Sequence, residues 1–331
     1  SRLAGNVAKC DCMGIISAAD VGFKEDDFWQ NPKAADMRAL KSEIERAREI
    51  AGGHGLIGIN AMVAGDDYAE IITTAVENGV DCIISGAGLP SELPSLVGDS
   101  PTAIAPIVSS GKAAAVITKL WDRHYKRIPD FIVVEGPLAG GHLGFNEELI
   151  LSGKAQSLEE ILPDVLNAIK PFEDKYNRTI PVFAAGGIYT HEDVQKFIKL
   201  GASGVQVATR FIATYECDAS DAFKSIYLNI KKEDIEIIKS PVGMPGRAVK
   251  TPLMERVAHG ERVFPKKCVH CLKPCDPAKS PYCITAALID AVNGEYSDGL
   301  HFCGSNAYRL QKIVHVKELI DELMRNVGEN A

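Results

Sequence analysis

Short β-branched runs ending in glycine or serine alternate along this chain with longer stretches whose apolar positions recur every three or four residues. That alternation is the sign of repeated βα units around a parallel sheet. Seven runs are expected as strands: 14–18, 56–60, 81–85, 103–108, 131–135, 181–185 and 204–208. Helical periodicity falls between them at 37–51, 68–78, 112–125, 158–176 and 192–200. Pro106 takes one ladder donor from the fourth strand. Ser157 with Glu160, and Thr190 with Asp193, stand at capping-box spacing ahead of apolar periodicity, while Gly79 and Gly201 fall where helix-ending glycines belong.

Seven parallel strands are one short of the eight that close a β/α barrel, and the chain opens on an expected helix, 1–9, with no strand before it. A doubly wound open sheet is the rival, but its G-x-G-x-x-G fingerprint after the first strand is absent. The pattern therefore predicts a TIM (β/α)8 barrel whose first strand is missing from the chain. Beyond 228 the rhythm changes to a charged stretch at 231–234, a Pro/Gly loop at 241–247, clustered cysteines and a closing helix at 316–325. Two units are expected, a barrel over 1–228 and a smaller cysteine-containing appendage over 229–331.

Composition narrows the function classes. With 331 residues, 46% hydrophobic and 24% charged, the chain has ordinary globular composition, which excludes disorder and low complexity. Lys112 and Lys119 interrupt the longest apolar neighbourhood well short of the ~20 residues a membrane span requires. A net charge of -8 with no basic block argues against nucleic acid as a partner. Nine cysteines, an odd number in a chain without a signal peptide, point to a reduced, cytoplasmic setting.

Candidate chemistry lies at the expected strand ends. Gly186 and Gly187 end one strand ahead of the Thr190-capped helix, so their amides and that helix's amino terminus are candidates to hold an anion, with Ala208 and Thr209 offering an amide and a hydroxyl after the next strand. Glu135-Gly-Pro-Leu-Ala-Gly140-Gly141-His142-Leu-Gly has glycines that let backbone approach a flat ligand, and presents one imidazole suited to acid/base work near neutral pH. The plainer readings are a tight Gly-Gly turn and a surface histidine. His54, His124, His191, His259, His270, His301 and His315 are expected to be solvated, and Arg247 either faces an anionic substrate or belongs to a solvated connection.

Those runs, with Phe183-Ala-Ala-Gly-Gly-Ile188 and Gly201-Ala-Ser-Gly-Val-Gln-Val-Ala-Thr-Arg-Phe211, resemble the nitronate monooxygenase family, formerly 2-nitropropane dioxygenases, which includes the flavin-dependent enoyl-acyl-carrier-protein reductase II. The likeness covers the chain to about Thr214 and takes in Gly58-Ile-Asn-Ala-Met-Val63 and Ile84-Ser-Gly-Ala-Gly-Leu-Pro90. It implies a TIM barrel holding FMN, with the phosphate near Gly187 and near Ala208 and Thr209, and the ring system close to Asn60, Gly86 and Gln206. Gly140, Gly141 and Gly186 would complete the cofactor contacts, and His142 would be the catalytic acid/base. Two activities follow from the resemblance: oxidation of nitronates by oxygen, or NAD(P)H-dependent reduction of an enoyl thioester. A small-molecule substrate and a homodimer are the expected partners.

Three features depart from the family. Its first strand, with a Gly-Gly-Met-Gly type loop over the flavin, is not in the chain. Val207-Ala208 replaces the usual Met-Gly. Cys268, Cys271, Cys275 and Cys283, spaced x2, x3 and x7, are metal-ligand candidates for Zn²⁺ or an iron–sulfur cluster, against a reading as free thiols in a flap. Were that cluster the working part, the protein would be a flavin- or metal-binding redox sensor. Cys303 falls roughly where relatives have a turn near the flavin.

Overall fold

The computed structural model describes residues 1–264, 267–325 and 327. The end of the expected appendage, 328–331, and residues 265, 266 and 326 lie outside them. Ten strands run in chain order: β1 Met13–Ser17, β2 Leu56–Met62, β3 Cys82–Gly86, β4 Ala103–Val108, β5 Ile132–Glu135, β6 Gly141–His142, β7 Val182–Ala185, β8 Gly204–Gln206, β9 Ile235–Lys239 and β10 Pro245–Val249. Seven of them form one parallel sheet in the order β1-β2-β3-β4-β5-β7-β8, the arrangement of a β/α barrel short of one strand. Pro106 sits inside β4, and the β4–β5 ladder pairs only Ile107 with Val133 and Val108 with Val134.

Alternation along these strands sorts side chains into two apolar layers. Ile15, Cys82, Ile84, Ala105, Val133 and Phe183 fill the inside of the curled sheet, where Phe131 and Phe183 meet edge to face at 5.5 Å. Outward residues such as Ile59, Ile83, Ile104 and Val134 pack under the surrounding helices. Both expected capping boxes form, Ser157 with Glu160 and Thr190 with Asp193. The helical ring continues past the open side of the sheet, because the Arg2–Ala8 helix packs on β1 and on the Val316–Leu323 helix, which in turn packs beside the His191–Lys199 helix.

The chain beyond 229 is built into the barrel mouth. β6 leaves the barrel after β5 and joins a second, three-stranded antiparallel sheet, β6-β10-β9, with Gly246 opposite His142 and Arg247 opposite Gly141. Leu319 and Leu323 of the closing helix sit in the same core as the barrel helices. No helix among the described residues is long and apolar enough to cross a membrane.

Candidate active site

Parallel strands point their carboxyl ends at one face, and there the chain encloses a cavity of about 520 Å³, within the range of small-molecule sites. Asn60, Gly140, Gly141, His142, Gly186, Gly187, Gln206, Ala208 and Thr209 all line it. Gly86 does not. It is buried at the end of β3, and a Cβ there would meet Ile107 at 2.9 Å.

One part of the wall is backbone. Gly186 and Gly187 have φ of +96° and +88°, which L side chains rarely adopt, and a Cβ on Gly187 would lie 2.9 Å from that of Leu138. Asn306 Nδ2 donates to the Gly187 carbonyl at 2.7 Å, and the Gly304 amide donates to Thr209 Oγ1 at 3.0 Å, leaving the hydroxyl proton free. The loop at Gly140 presses against the 303–304 backbone so closely that a Cβ would lie 2.3 Å from the Cys303 carbonyl carbon. The Thr190-capped helix does not serve as an anion site. Asp193 Oδ2 already accepts the Tyr189 and Thr190 amides at 2.9 Å, placing a carboxylate at that terminus.

The other part is made of side chains. His142 Nε2 lies 2.7 Å from Ser240 Oγ, which also accepts the Val242 amide at 3.3 Å. The ring stands edge to face on Phe302 at 5.0 Å, and burial pushes its pKa down to about 4, so it is neutral near pH 7. Cys303 is buried in the wall with its thiol pushed up to about 12. Arg247 does not face the cavity; buried behind the glycine loop, it donates through Nη1 to the carbonyls of Pro137, at 2.8 Å, and Ala139.

Several lining residues escaped the sequence reading. Glu135, at the end of β5, faces the cavity with no side-chain partner among the described residues, and burial pushes its carboxyl up to about 8. Its inward direction was readable from the two-residue period through Phe131 and Val133. Asp20 accepts from Thr285 Oγ1 at 3.1 Å and is raised to about 6, while Asp36 accepts the Gly22 amide at 2.6 Å and is raised to about 7, in both cases chiefly by burial. No local signal marks these or Ser240, which lies 98 residues from His142. One histidine expected in solvent is not there. His270 is exposed at the edge of the cavity, whereas His301 is fully buried among Phe223, Tyr227 and Tyr296, with no hydrogen-bond partner on either ring nitrogen among the described residues.

The four candidate cysteines share a second, small cavity, but among the described residues no three His, Cys, Asp or Glu side chains are arranged to hold a metal ion.

A glycine-walled cavity at the carboxyl ends of a parallel β/α sheet defines a barrel protein of the ligand-binding class. The chain belongs to the nitronate monooxygenase family, whose model matches residues 1–326. Among curated proteins it is 24% identical over 258 residues to the (3aS,4S,5R,7aS)-5-hydroxy-7a-methyl-1-oxo-octahydro-1H-indene-4-carboxyl-CoA dehydrogenase of Rhodococcus jostii (strain RHA1), covering 78% of this chain and 61% of that protein. A probable nitronate monooxygenase of Staphylococcus aureus (strain Newman) is 30% identical over 140 residues, 41% of this chain and 36% of that one. This chain thus spans under two thirds of the length of these relatives. FabK from Thermotoga maritima superimposes with a TM-score of 0.74 at 22% identity, over 99% of this chain and 89% of that one. The nitroalkane oxidase from Streptomyces ansochromogenes gives 0.73 at 17%, over 99% and 92%. At these identities the structural likeness is one of fold.

Proposed function

We propose that this chain is an FMN-dependent oxidoreductase that oxidises alkyl nitronates with molecular oxygen. The observation that carries the reading is the neutral His142 ring, held by Ser240 on the wall of a glycine-lined cavity. The residues present fit the cofactor: the Gly186–Gly187 turn leaves backbone amides bare of side chains, and Thr209 keeps a hydroxyl proton for a phosphate oxygen. FMN, when bound, supplies the electron transfer between substrate and oxygen.

The protein's share is orientation and proton placement. Ser240 Oγ accepts the Val242 amide and has one proton to give; donated to Nε2, it leaves the ring proton of His142 on Nδ1, which has no partner among the described residues. Nδ1–H then donates to an anionic oxygen. An imidazole with a pKa of about 4 is a weak base, so this site is suited to a nitronate that arrives ionised rather than to the neutral nitroalkane.

One observation favours a second reading, an NAD(P)H-dependent enoyl-thioester reductase. Glu135 presents a carboxyl that is protonated at neutral pH, a ready proton donor to the carbon beside a thioester carbonyl. Anaerobic mixing of the purified full-length protein separates the two by flavin absorbance. Bleaching by an alkyl nitronate and not by nicotinamide supports the monooxygenase. Bleaching by NADH or NADPH alone transfers the assignment to the reductase, and a protein that binds no flavin overturns both.

A further inference from the structure

Beyond His142 the cavity continues between the loop after β1 and the connection at 269–272. Phe302, on which the His142 ring stands, shares one apolar cluster with Met62, Leu272, Ile284 and Leu288, and all five face the cavity. An apolar strip therefore leads away from the imidazole. It ends beside Ile284 at Thr285, whose hydroxyl donates to Asp20.

Two carboxyls close this end, Asp20 after β1 and Asp36 near the start of the Pro32–Ala51 helix. Asp36 is only 4% exposed, yet half of its carboxyl is unpaired: Oδ1 accepts the Gly22 amide, and Oδ2 accepts from nothing among the described residues. Asp20 likewise has Oδ1 taken by Thr285 and Oδ2 without a partner among the described residues. Burial raises both carboxyls, and repulsion adds to it, Asp67 acting on both and Asp20 on Asp36. Lys33, the lysine on this wall, is held elsewhere, by Asp66 at 3.2 Å and Glu70 at 3.6 Å. Two desolvated carboxyls with free oxygens and no counter-charge leave this end of the cavity short of one cation.

We propose that Asp20 and Asp36 hold a primary ammonium group of the substrate, so that the preferred substrate is an aliphatic nitronate whose chain lies along the apolar strip and ends in an amine. The inference rests on the nitronate reading of the site. Among the described residues no three His, Cys, Asp or Glu side chains are arranged for a metal ion, which points to an organic cation. Each carboxyl keeps a single free oxygen, which suits a compact donor better than the paired fork of a guanidinium. An ammonium brings three donors and a positive charge; a hydroxyl brings one donor and no charge, and a carboxylate is repelled.

Two measurements on the purified full-length protein test this: turnover of the nitronates of nitrohexylamine, nitrohexane and nitrohexanoate, and calorimetric titration with hexylamine and hexanoate. For the amine, kcat/KM is expected to exceed that for nitrohexane by about 10–100-fold, the worth of a hydrogen bond to a charged group, with nitrohexanoate lowest. Asp20→Asn with Asp36→Asn should bring the amine-to-alkane ratio to about one, and Thr285→Val should lower it part of the way. Hexylamine should bind the unaltered chain, and hexanoate should not. If no nitronate is oxidised, the monooxygenase reading fails, and the titration still decides the ammonium site. Equal kcat/KM for amine and alkane, or a titration in which hexylamine does not bind, overturns the proposal, whether or not the double variant folds.

Discussion

The stretch of cavity wall at the Gly140 loop and the Gly186–Gly187 turn is made of backbone, and the stretch around His142 is made of side chains. On the first, Gly186, Gly187 and Gly140 bring main chain close to where a ligand lies, and their contacts are amides and carbonyls. On the second, His142, Ser240 and Phe302 come from three stretches far apart in sequence and meet because β6 pairs with β10. A backbone wall tolerates no added atoms but is indifferent to protonation. A side-chain wall is the reverse: it responds to pH and to single-atom changes, while its frame survives them. Substitutions on the two walls should therefore fail in different ways.

The largest effects come from breaking each wall in turn. Gly187→Val puts a branched side chain at φ +88° and against Leu138, so the variant should purify with less than a tenth of the flavin per chain, read from its absorbance. If it purifies equally yellow, the phosphate assignment is wrong. His142→Ala should retain flavin yet lower nitronate turnover by about 10²–10³, the cost of losing one oriented donor to an anionic oxygen. Unchanged turnover would remove His142 from the chemistry.

Arg247 joins the two walls, since a residue of β10 holds two carbonyls of the glycine loop. Arg247→Met keeps much of the buried volume but leaves both carbonyls unpaired, and should lower the unfolding free energy by about 3 kcal/mol in a denaturant titration. A loss below ~1 kcal/mol would mean that water replaces the guanidinium.

The pH response sharpens the comparison. His142 and His301 both have folded pKa values near 4, below the ordinary 6.5, because burial disfavours the charged ring. Between those values the unfolded chain binds more protons than the folded one, so stability is full above pH 6.5 and falls as pH drops toward 4. For one such histidine the loss at pH 5 is about 2 kcal/mol. His301→Phe should halve the acid-side loss and, by removing two unpartnered ring nitrogens, should cost little at pH 7. An acid limb unchanged in that variant would place the proton uptake elsewhere. Glu135 acts oppositely: its raised carboxyl contributes below pH 4.5 and is lost as pH climbs through 8.

What could be read in the sequence divides along the same line. All seven parallel strands and the glycine turns were legible, because period, β-branching and positive-φ glycine act within a few residues. Asp193 was legible as a cap, yet its consequence, a carboxylate closing the helix terminus to anions, needed the hydrogen bonds themselves. β9 and β10 were not recognised, since Ser240-Pro-Val-Gly-Met-Pro reads as a loop and the edge they complete is the two-residue β6. Arg247 was misjudged for the same reason: its carbonyl partners lie 110 and 108 residues away. His301 was placed in solvent because nothing nearby in sequence reveals the ring cluster around it.

Ser240→Ala tests the side-chain wall most finely, since it deletes one oxygen. The pocket keeps its shape and Phe302 still supports the ring, so flavin content and stability should stay within ~1 kcal/mol of the unaltered chain. What changes is the proton: without the serine hydroxyl nothing among the described residues holds Nε2, and the ring can carry its hydrogen on either nitrogen. Nitronate turnover should fall about ten-fold, the equivalent of ~1.4 kcal/mol, with KM moved less than kcat because the loss is one of orientation. Ser240→Thr should restore most of it by returning a hydroxyl. If alanine and threonine behave alike, Ser240 only fills space, and the tautomer of His142 is set by the ligand.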